Sequence, residues 1–286
     1  MIDKAEITIV SAFFDIGRGN WSKEQGHPGY LQRSCEKYID YFSNLAKLEN
    51  DMIIFTSSEF SEIIKKIRGN KNTIIIEMNI DDKFSKCKDQ IRVIQNSSKF
   101  KNTVDQSQLK NPEYWSPEYV LVTNLKTYFV KKAIKENLVK TNLVAWVDFG
   151  YCRNKETLNG IRKWRYPFLE DKINFFTINK NFDISKDLVI KSILKNEVFI
   201  IGGAIVSSKK KWLQFSEIVL HCQKKILLDG MVDDDQGVFM MAFLESKENI
   251  KLNYLGKNQW FSLFKMFDET TKLNFLDKFK MLLRLY

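Results

Sequence analysis

Short β-branched runs that take turns with amphipathic helical segments constrain this chain's fold more than any other feature. Ile7-Thr8-Ile9-Val10 is nearly continuous in apolar character and gives way to a loop, Phe14 to Trp21, that carries Gly17 and Gly19. Such a run reads as a strand buried on both faces. From Pro28 onward Leu31, Cys35, Tyr38, Phe42 and Leu45 recur at steps of four and three, one apolar stripe on a helix that Pro28 can begin. Residues 52–55 and 73–76 read as further strands, with a Ser58-initiated helix between them. A long helix over 118–137 precedes a central strand, 142–147, that delivers Asp148 at its carboxyl end. Strands follow at 173–177, 198–201 and 252–255, interleaved with helices near 188–194 and 211–228. The pattern predicts an α/β fold with a mixed, mostly parallel sheet flanked by helices.

No repeat or linker divides the chain, so a single domain over 1–286 is expected. Residues 81–116 are polar and Lys-rich and read as an insertion or flexible lobe. At the other end, Phe275, Leu276, Phe279, Leu282 and Leu283 share one face among Lys278, Lys280 and Arg284. This predicts a C-terminal amphipathic helix over 268–286, suited to a membrane interface or to docking on the core.

Composition removes several classes of function. Two histidines nearly exclude a histidine-based zinc site, and four widely spaced cysteines make neither a disulfide framework nor a zinc ribbon. Any metal would be held mainly by oxygen. There is no Walker A or G-x-G-x-x-G fingerprint, which counts against ATPases and dehydrogenases, and no G-x-S-x-G elbow. The longest apolar stretch is too short to span a bilayer, and the N-terminus has the wrong charge order for a signal peptide. A cytoplasmic protein, peripheral at the inner membrane at most, is expected. Lys and Arg outnumber Asp and Glu by 45 to 35, and the net charge of +10 favours phosphorylated or polyanionic partners. The lysines are dispersed and no nucleic-acid-binding signature is present, so nucleic acid is disfavoured as a partner.

Three local features could carry chemistry. Trp146-Val147-Asp148-Phe149-Gly150 sets a carboxylate where an apolar strand emerges into a loop, a position for a hard cation bridging nucleotide phosphates or for an ordinary turn. Asp233-Asp234-Asp235-Gln236 precedes an apolar run; one aspartate suffices to cap a helix, and three in a row repel, which leaves a general base, a metal-facing carboxylate or a solvated acidic loop for the others. Gly202-Gly203 interrupts a buried strand, for close approach of a ligand or for packing. In the first loop, Arg18 and the amides near Gly17 and Gly19 could meet phosphate.

The stretch from Thr8 to Trp21, T-I-V-S-A-F-F-D-I-G-R-G-N-W, resembles the opening signature of the HtrL/YibB family of bacterial proteins. Trp146 to Gly150 and Val232 to Gly237 are also similar to that family, so the resemblance runs in order over nearly the whole chain. It implies a role in surface-glycan assembly, in lipopolysaccharide or capsule. The order of features also looks like a GT-A glycosyltransferase, a Rossmann-related fold. That likeness implies a nucleotide-sugar donor, a UDP-sugar before others, and a glycan acceptor on a lipid carrier at an anionic membrane. Ser11, Phe13, Asp15, Arg18 and Trp21 would line the nucleotide pocket, with Lys126 reaching ribose or phosphate. Asp148 would take the first position of an Asp-x-Asp motif and hold Mn²⁺ or Mg²⁺. Gly150 stands where the second Asp would be. Gly202, Gly203 and Gln236 would lie beside the sugar, and Asp234 or Asp235 would be the later catalytic acid. The competing expectations are a non-catalytic basic adaptor and a nucleotide-sugar hydrolase.

Overall fold

A computed structural model of the chain describes residues 6–180 and 184–270. Among them, strands β1 (Ile7–Phe13), β2 (Met52–Thr56), β3 (Thr73–Glu77), β4 (Leu143–Val147), β5 (Ile173–Thr177), β6 (Ile201–Ser208) and β7 (Ile250–Tyr254) form one sheet in the order β3-β2-β1-β4-β6-β5-β7. Pairing is parallel from β3 through β4 and again between β5 and β7, while β6 runs antiparallel to both its neighbours. The α-helices are α1 (Cys35–Leu45), α2 (Ser58–Arg68), α3 (Ile80–Lys83), α4 (Ser85–Asn96), α5 (Ser98–Thr103), α6 (Pro117–Asn124), α7 (Lys126–Lys135), α8 (Lys186–Lys195), α9 (Lys209–Leu228), α10 (Asp235–Glu245) and α11 (Leu263–Met266). The expected α/β class, a mixed and mostly parallel sheet flanked by helices, is observed.

The strand sequences explain why both faces are covered. On β4, Val144 and Trp146 enter one apolar cluster with helices α7, α9 and α10, while Leu143, Ala145 and Val147 enter another with α1. Successive side chains point to opposite faces, so a strand apolar at every position needs a helical layer on each side. From β1 the chain steps outward to β2 and β3, then returns to build β4 and the rest on the other flank. The carboxyl ends of β1 and β4 therefore flank a topological switch point, where open α/β sheets leave a crevice.

Several expected boundaries move. The first α-helix starts at Cys35, capped by the Ser34 hydroxyl, and Gly29–Leu31 is only a 3₁₀ turn. The single helix expected over 118–137 breaks at Leu125 into α6 and α7. Just before the break, Thr123 and Asn124 side chains bond the carbonyls of Tyr119 and Val120, competing with the main-chain ladder. The strand expected over 198–201 instead starts at Ile201 and continues to Ser208, because Ala204–Ser208 pairs with β4, so both glycines lie inside it. Residues 81–116 fold as most of α3, all of α4 and α5, and a 3₁₀ turn at Pro112–Tyr114. Their Ile91, Ile94, Phe100, Val104 and Tyr114 are buried in the shared core, so the segment is neither a separate lobe nor structureless. Most of the C-terminal helix expected over 268–286 lies outside the described residues. No helix among the described residues is long and apolar enough to cross a membrane.

Arg68, at the end of α2, ties this half of the sheet together. Fully buried, it donates to the carbonyls of Ala46, Leu48, Asn50 and Asn72 and to the Thr73 hydroxyl, at 2.6–3.3 Å. Burial lowers its pKa to about 10, so it stays charged at neutral pH. Arg68→Met would keep the stem but strand these carbonyls. We expect a loss of about 3 kcal/mol or more in urea denaturation, and a loss under about 1 kcal/mol would contradict this role.

Candidate active site

A cavity of about 300 Å³ opens at the switch point, between the carboxyl ends of β1 and β4 and the first residues of β6 and α10. The end of β1 and the loop after it contribute Phe13, Asp15 and Arg18 to its wall. The loop after β4 contributes Asp148 and Gly150, supported by a column of rings in which Phe149 stacks on Phe13 at 4.8 Å and on Phe42 at 4.2 Å. Gly202 and Gly203 of β6, Lys126 of α7, and Asp234, Asp235 and Gln236 at the start of α10 line the same cavity.

Two expected residues stand apart. Ser11 is buried in the sheet, its hydroxyl donating to the Val147 carbonyl at 2.7 Å, so it joins β1 to β4 and does not face the cavity. Trp21 packs edge-on against Trp115 and under the Arg18 guanidinium, 5.1 Å from the ring centre. It supports Arg18 from behind.

Lys126 is the centre of the charge arrangement. Its buried ammonium donates to Asp235 Oδ2 at 2.7 Å and to the Gly202 carbonyl at 2.9 Å, and lies 3.0 Å from Asp148 Oδ1. Burial alone would lower its pKa, but Asp148 and Asp235 more than offset that and hold it above its ordinary value. Two hydrogen bonds and an ion pair commit Lys126 to groups of its own chain, whereas the sequence had it reaching ribose or phosphate. The glycine at 202 follows from this packing, since a Cβ there would lie 1.5 Å from Asp235 Oδ2.

The profile of a family described as "Bacterial protein of unknown function (HtrL_YibB)" matches residues 5–269. "Protein HtrL" of Escherichia coli (strain K12) is 48% identical over 269 residues, which is 94% of each chain. The chain belongs to the HtrL_YibB family. Among solved structures, the apo form of mouse xyloside xylosyltransferase 1 is similar with a TM-score of 0.39 and 9% identity, over 87% of this chain and 85% of that one.

In this HtrL_YibB chain the aspartate triplet divides into distinct tasks. Asp233 accepts from the Gly237 amide at 2.9 Å, and Asp234 is the N-cap of α10, accepting from the Gln236 amide at 2.9 Å. Asp235 is the partner of Lys126. All three are buried, and burial is the main cause of their raised pKa values. Asp233 goes well above the usual range, reinforced by Asp234 and Glu113, and Asp234 goes to about 7, reinforced by Asp235. Asp235 also rises, with Lys126 pulling against burial.

The residues do not offer an oxygen cage for a divalent ion at Asp148. Its Oδ1 already faces the Lys126 ammonium and accepts from Trp146 Nε1 at 2.8 Å. A side chain at position 150, where a second motif aspartate would stand, would meet the Tyr38 ring at 3.0 Å. Among the described residues no group of three or more His, Cys, Asp or Glu side chains is arranged to hold a metal.

Sequence reasoning missed several wall residues. Tyr38 lay on the core stripe of α1, yet its hydroxyl accepts from Arg18 Nη1 at 2.7 Å. Arg33 and Arg153 also line the cavity, as do Trp260 and Phe261, and Arg153 lies over the rings of Tyr41 and Phe261. Arg153, three residues past Gly150 in the same loop, was the one the sequence could have flagged. Glu113 is buried beside the acidic cluster, and its pKa is pushed up to about 8, by burial first and Asp234 second.

A carboxyl group with a raised folded pKa makes the native state bind more protons than the unfolded chain. Stability therefore falls as pH rises from the ordinary aspartate range to about 7, and stays reduced above that. Asp234→Asn preserves the cap without the charge. Its melting temperature should exceed wild type at about pH 8, and the gap should close as pH falls toward about 4. A gap independent of pH would refute this assignment.

Proposed function

We propose that the chain transfers a sugar from a nucleotide-sugar donor to a hydroxyl of a bacterial surface glycan. One observation carries the reading. A single cavity at the switch point of the sheet combines a buried guanidinium that has no carboxylate partner among the described residues with three carboxylates, Asp148, Asp234 and Asp235. Group transfer from a diphosphate needs both: positive charge where the leaving phosphate gathers negative charge, and a base where the acceptor loses its proton.

In this reading Arg18, with Arg33 and Arg153, receives the diphosphate. The nucleoside extends toward an adjoining cavity of about 410 Å³, which shares Phe14, Asp15 and Ile16 and is lined by Ser57, Glu77 and Asn79 beyond the ends of β2 and β3. The sugar lies over Gly203, where the absent side chain lets it approach the backbone, with Gly202 and the Asp235 carboxylate that packs on it forming the adjacent wall. The acceptor oxygen attacks the anomeric carbon, the bond from that carbon to the β-phosphate oxygen breaks, and the acceptor proton passes to Asp234. Asp235 is tied to Lys126, which leaves Asp234 as the base, and its raised pKa suits a proton acceptor near neutrality. A UDP-sugar donor and a lipid-linked acceptor at an anionic membrane fit the net charge of +10.

The adaptor alternative has no use for so much buried charge, since burying carboxylates and a guanidinium with no carboxylate partner among the described residues costs stability. A hydrolase would share the donor site and reveal itself by donor cleavage without an acceptor.

Thermal-shift measurement across UDP-, GDP- and CMP-linked sugars should show stabilisation by at least one donor, and no shift at millimolar ligand would sink the reading. With that donor and a glycan acceptor, Asp234→Asn should lower kcat by about 100-fold or more while still binding the donor. Wild-type turnover in Asp234→Asn would remove it as the base.

A further inference from the structure

We infer that the Lys126 ammonium is a built-in counter-ion standing between Asp148 and Asp235 where a divalent cation would otherwise bind, so that Arg18 receives the donor diphosphate without a metal. The inference deepens the glycosyltransferase reading and rests on it for the identity of the ligand, but not for the role of Lys126.

The geometry around Lys126 is closed. Its ammonium lies 2.7 Å from Asp235 Oδ2, 3.0 Å from Asp148 Oδ1 and 2.9 Å from the Gly202 carbonyl, which gives it two hydrogen bonds and an ion pair within the protein. Asp148 Oδ1 is further occupied by the Trp146 indole N–H. The space for a second motif carboxylate is filled by Tyr38 over Gly150, and Gly202 lets Asp235 press against β6. A divalent ion would have to displace a buried ammonium held by two hydrogen bonds and an ion pair, or share two carboxylates with it against repulsion between like charges.

Arg18 is in the opposite state. It is 8% exposed, and its Nε and Nη2 donate to the Leu31 carbonyl and its Nη1 to the Tyr38 hydroxyl. Among the described residues no carboxylate lies within ion-pair distance of it, although Trp21, Tyr38 and Tyr119 rings surround it. Of five N–H donors, three are used, and the charge is unneutralised at the wall of the cavity. A guanidinium in that state suits a bidentate oxyanion such as a diphosphate. The chain thus splits the two duties of a bound metal: Lys126 neutralises the carboxylates, and Arg18 takes the phosphate.

Two titrations test this. Mn²⁺ alone, followed by the EPR signal of the free ion, should show no site in the wild-type protein at millimolar metal and one site in Lys126→Met, which frees the carboxylate pair. UDP binding by calorimetry should be the same in EDTA and in Mn²⁺, and Arg18→Met should weaken it by about 10-fold or more in both. A Mn²⁺ site in the wild type, or UDP affinity that rises about 10-fold or more with Mn²⁺, overturns the inference. The wild-type titrations stand even if Lys126→Met does not fold. UDP and donor sugars that fail to bind in either buffer strike the donor reading, and the role of Lys126 is then decided by the Mn²⁺ titration, where a site in the wild type overturns it and none supports it.

Discussion

The contact on which the rest of this structure depends is the one between Lys126 and its two carboxylates. It joins the first residue of α7, the loop after β4, the start of β6 and the first turn of α10, which lie up to 109 residues apart in sequence. Each member is costly to bury alone. An ammonium or carboxylate left without its partner in such a setting destabilises by several kcal/mol, on the order of 3–5. The three charges therefore hold one another in position, and neighbouring residues are shaped to suit them. Gly202 lacks a side chain because Asp235 is there, and Gly150 because Tyr38 leans over it.

The sheet explains why these charges meet. Parallel strands deliver their carboxyl ends to one edge, and at the switch between β1 and β4 the following loops diverge. The antiparallel β6 then brings its first residues, not its last, to the same edge, with the Asp148 amide donating to the Gly203 carbonyl at 2.9 Å. A wholly parallel sheet would deliver another carboxyl end there. Reversing one strand lets a backbone carbonyl from β6 accept from Lys126 and lets α10 start against the cavity.

Much of this was legible in the sequence. β-branched runs marked the strands because a strand buried on both faces must be apolar at every position, and Asp148 was recognisable because it ends such a run. Boundaries were less legible where side chains compete with the backbone, as Thr123 and Asn124 do at the α6–α7 break. Residues 81–116 read as a lobe because they are polar and Lys-rich, although Ile91, Ile94 and Phe100 are buried in the shared core. At the site, sequence named Arg18, Lys126 and the aspartates but not Arg33, Arg153 or Glu113, and it could not pair those it named. Nothing in the order of letters says that Lys126 is spent on Asp148 and Asp235, or that Trp21 lies behind Arg18, because these are contacts across the fold.

The pairing changes what the net charge of +10 means at the site. The cavity is not simply basic. Lys126 is matched to carboxylates and contributes no free positive charge, while Asp234 resists ionisation because it is buried and, second, because Asp235 lies beside it. The attraction for the proposed diphosphate would therefore come from Arg18 and from Arg33 and Arg153 on the same wall. Guanidinium groups suit that duty better than an ammonium would. They keep their charge when buried, and their planar donors can bond a protein carbonyl on one side and a ligand oxygen on the other. A lysine at position 18 would use its protons on Leu31 and Tyr38 and have little left for a phosphate. Desolvation, which lowers the Arg18 pKa, is tolerable only because guanidinium starts so high.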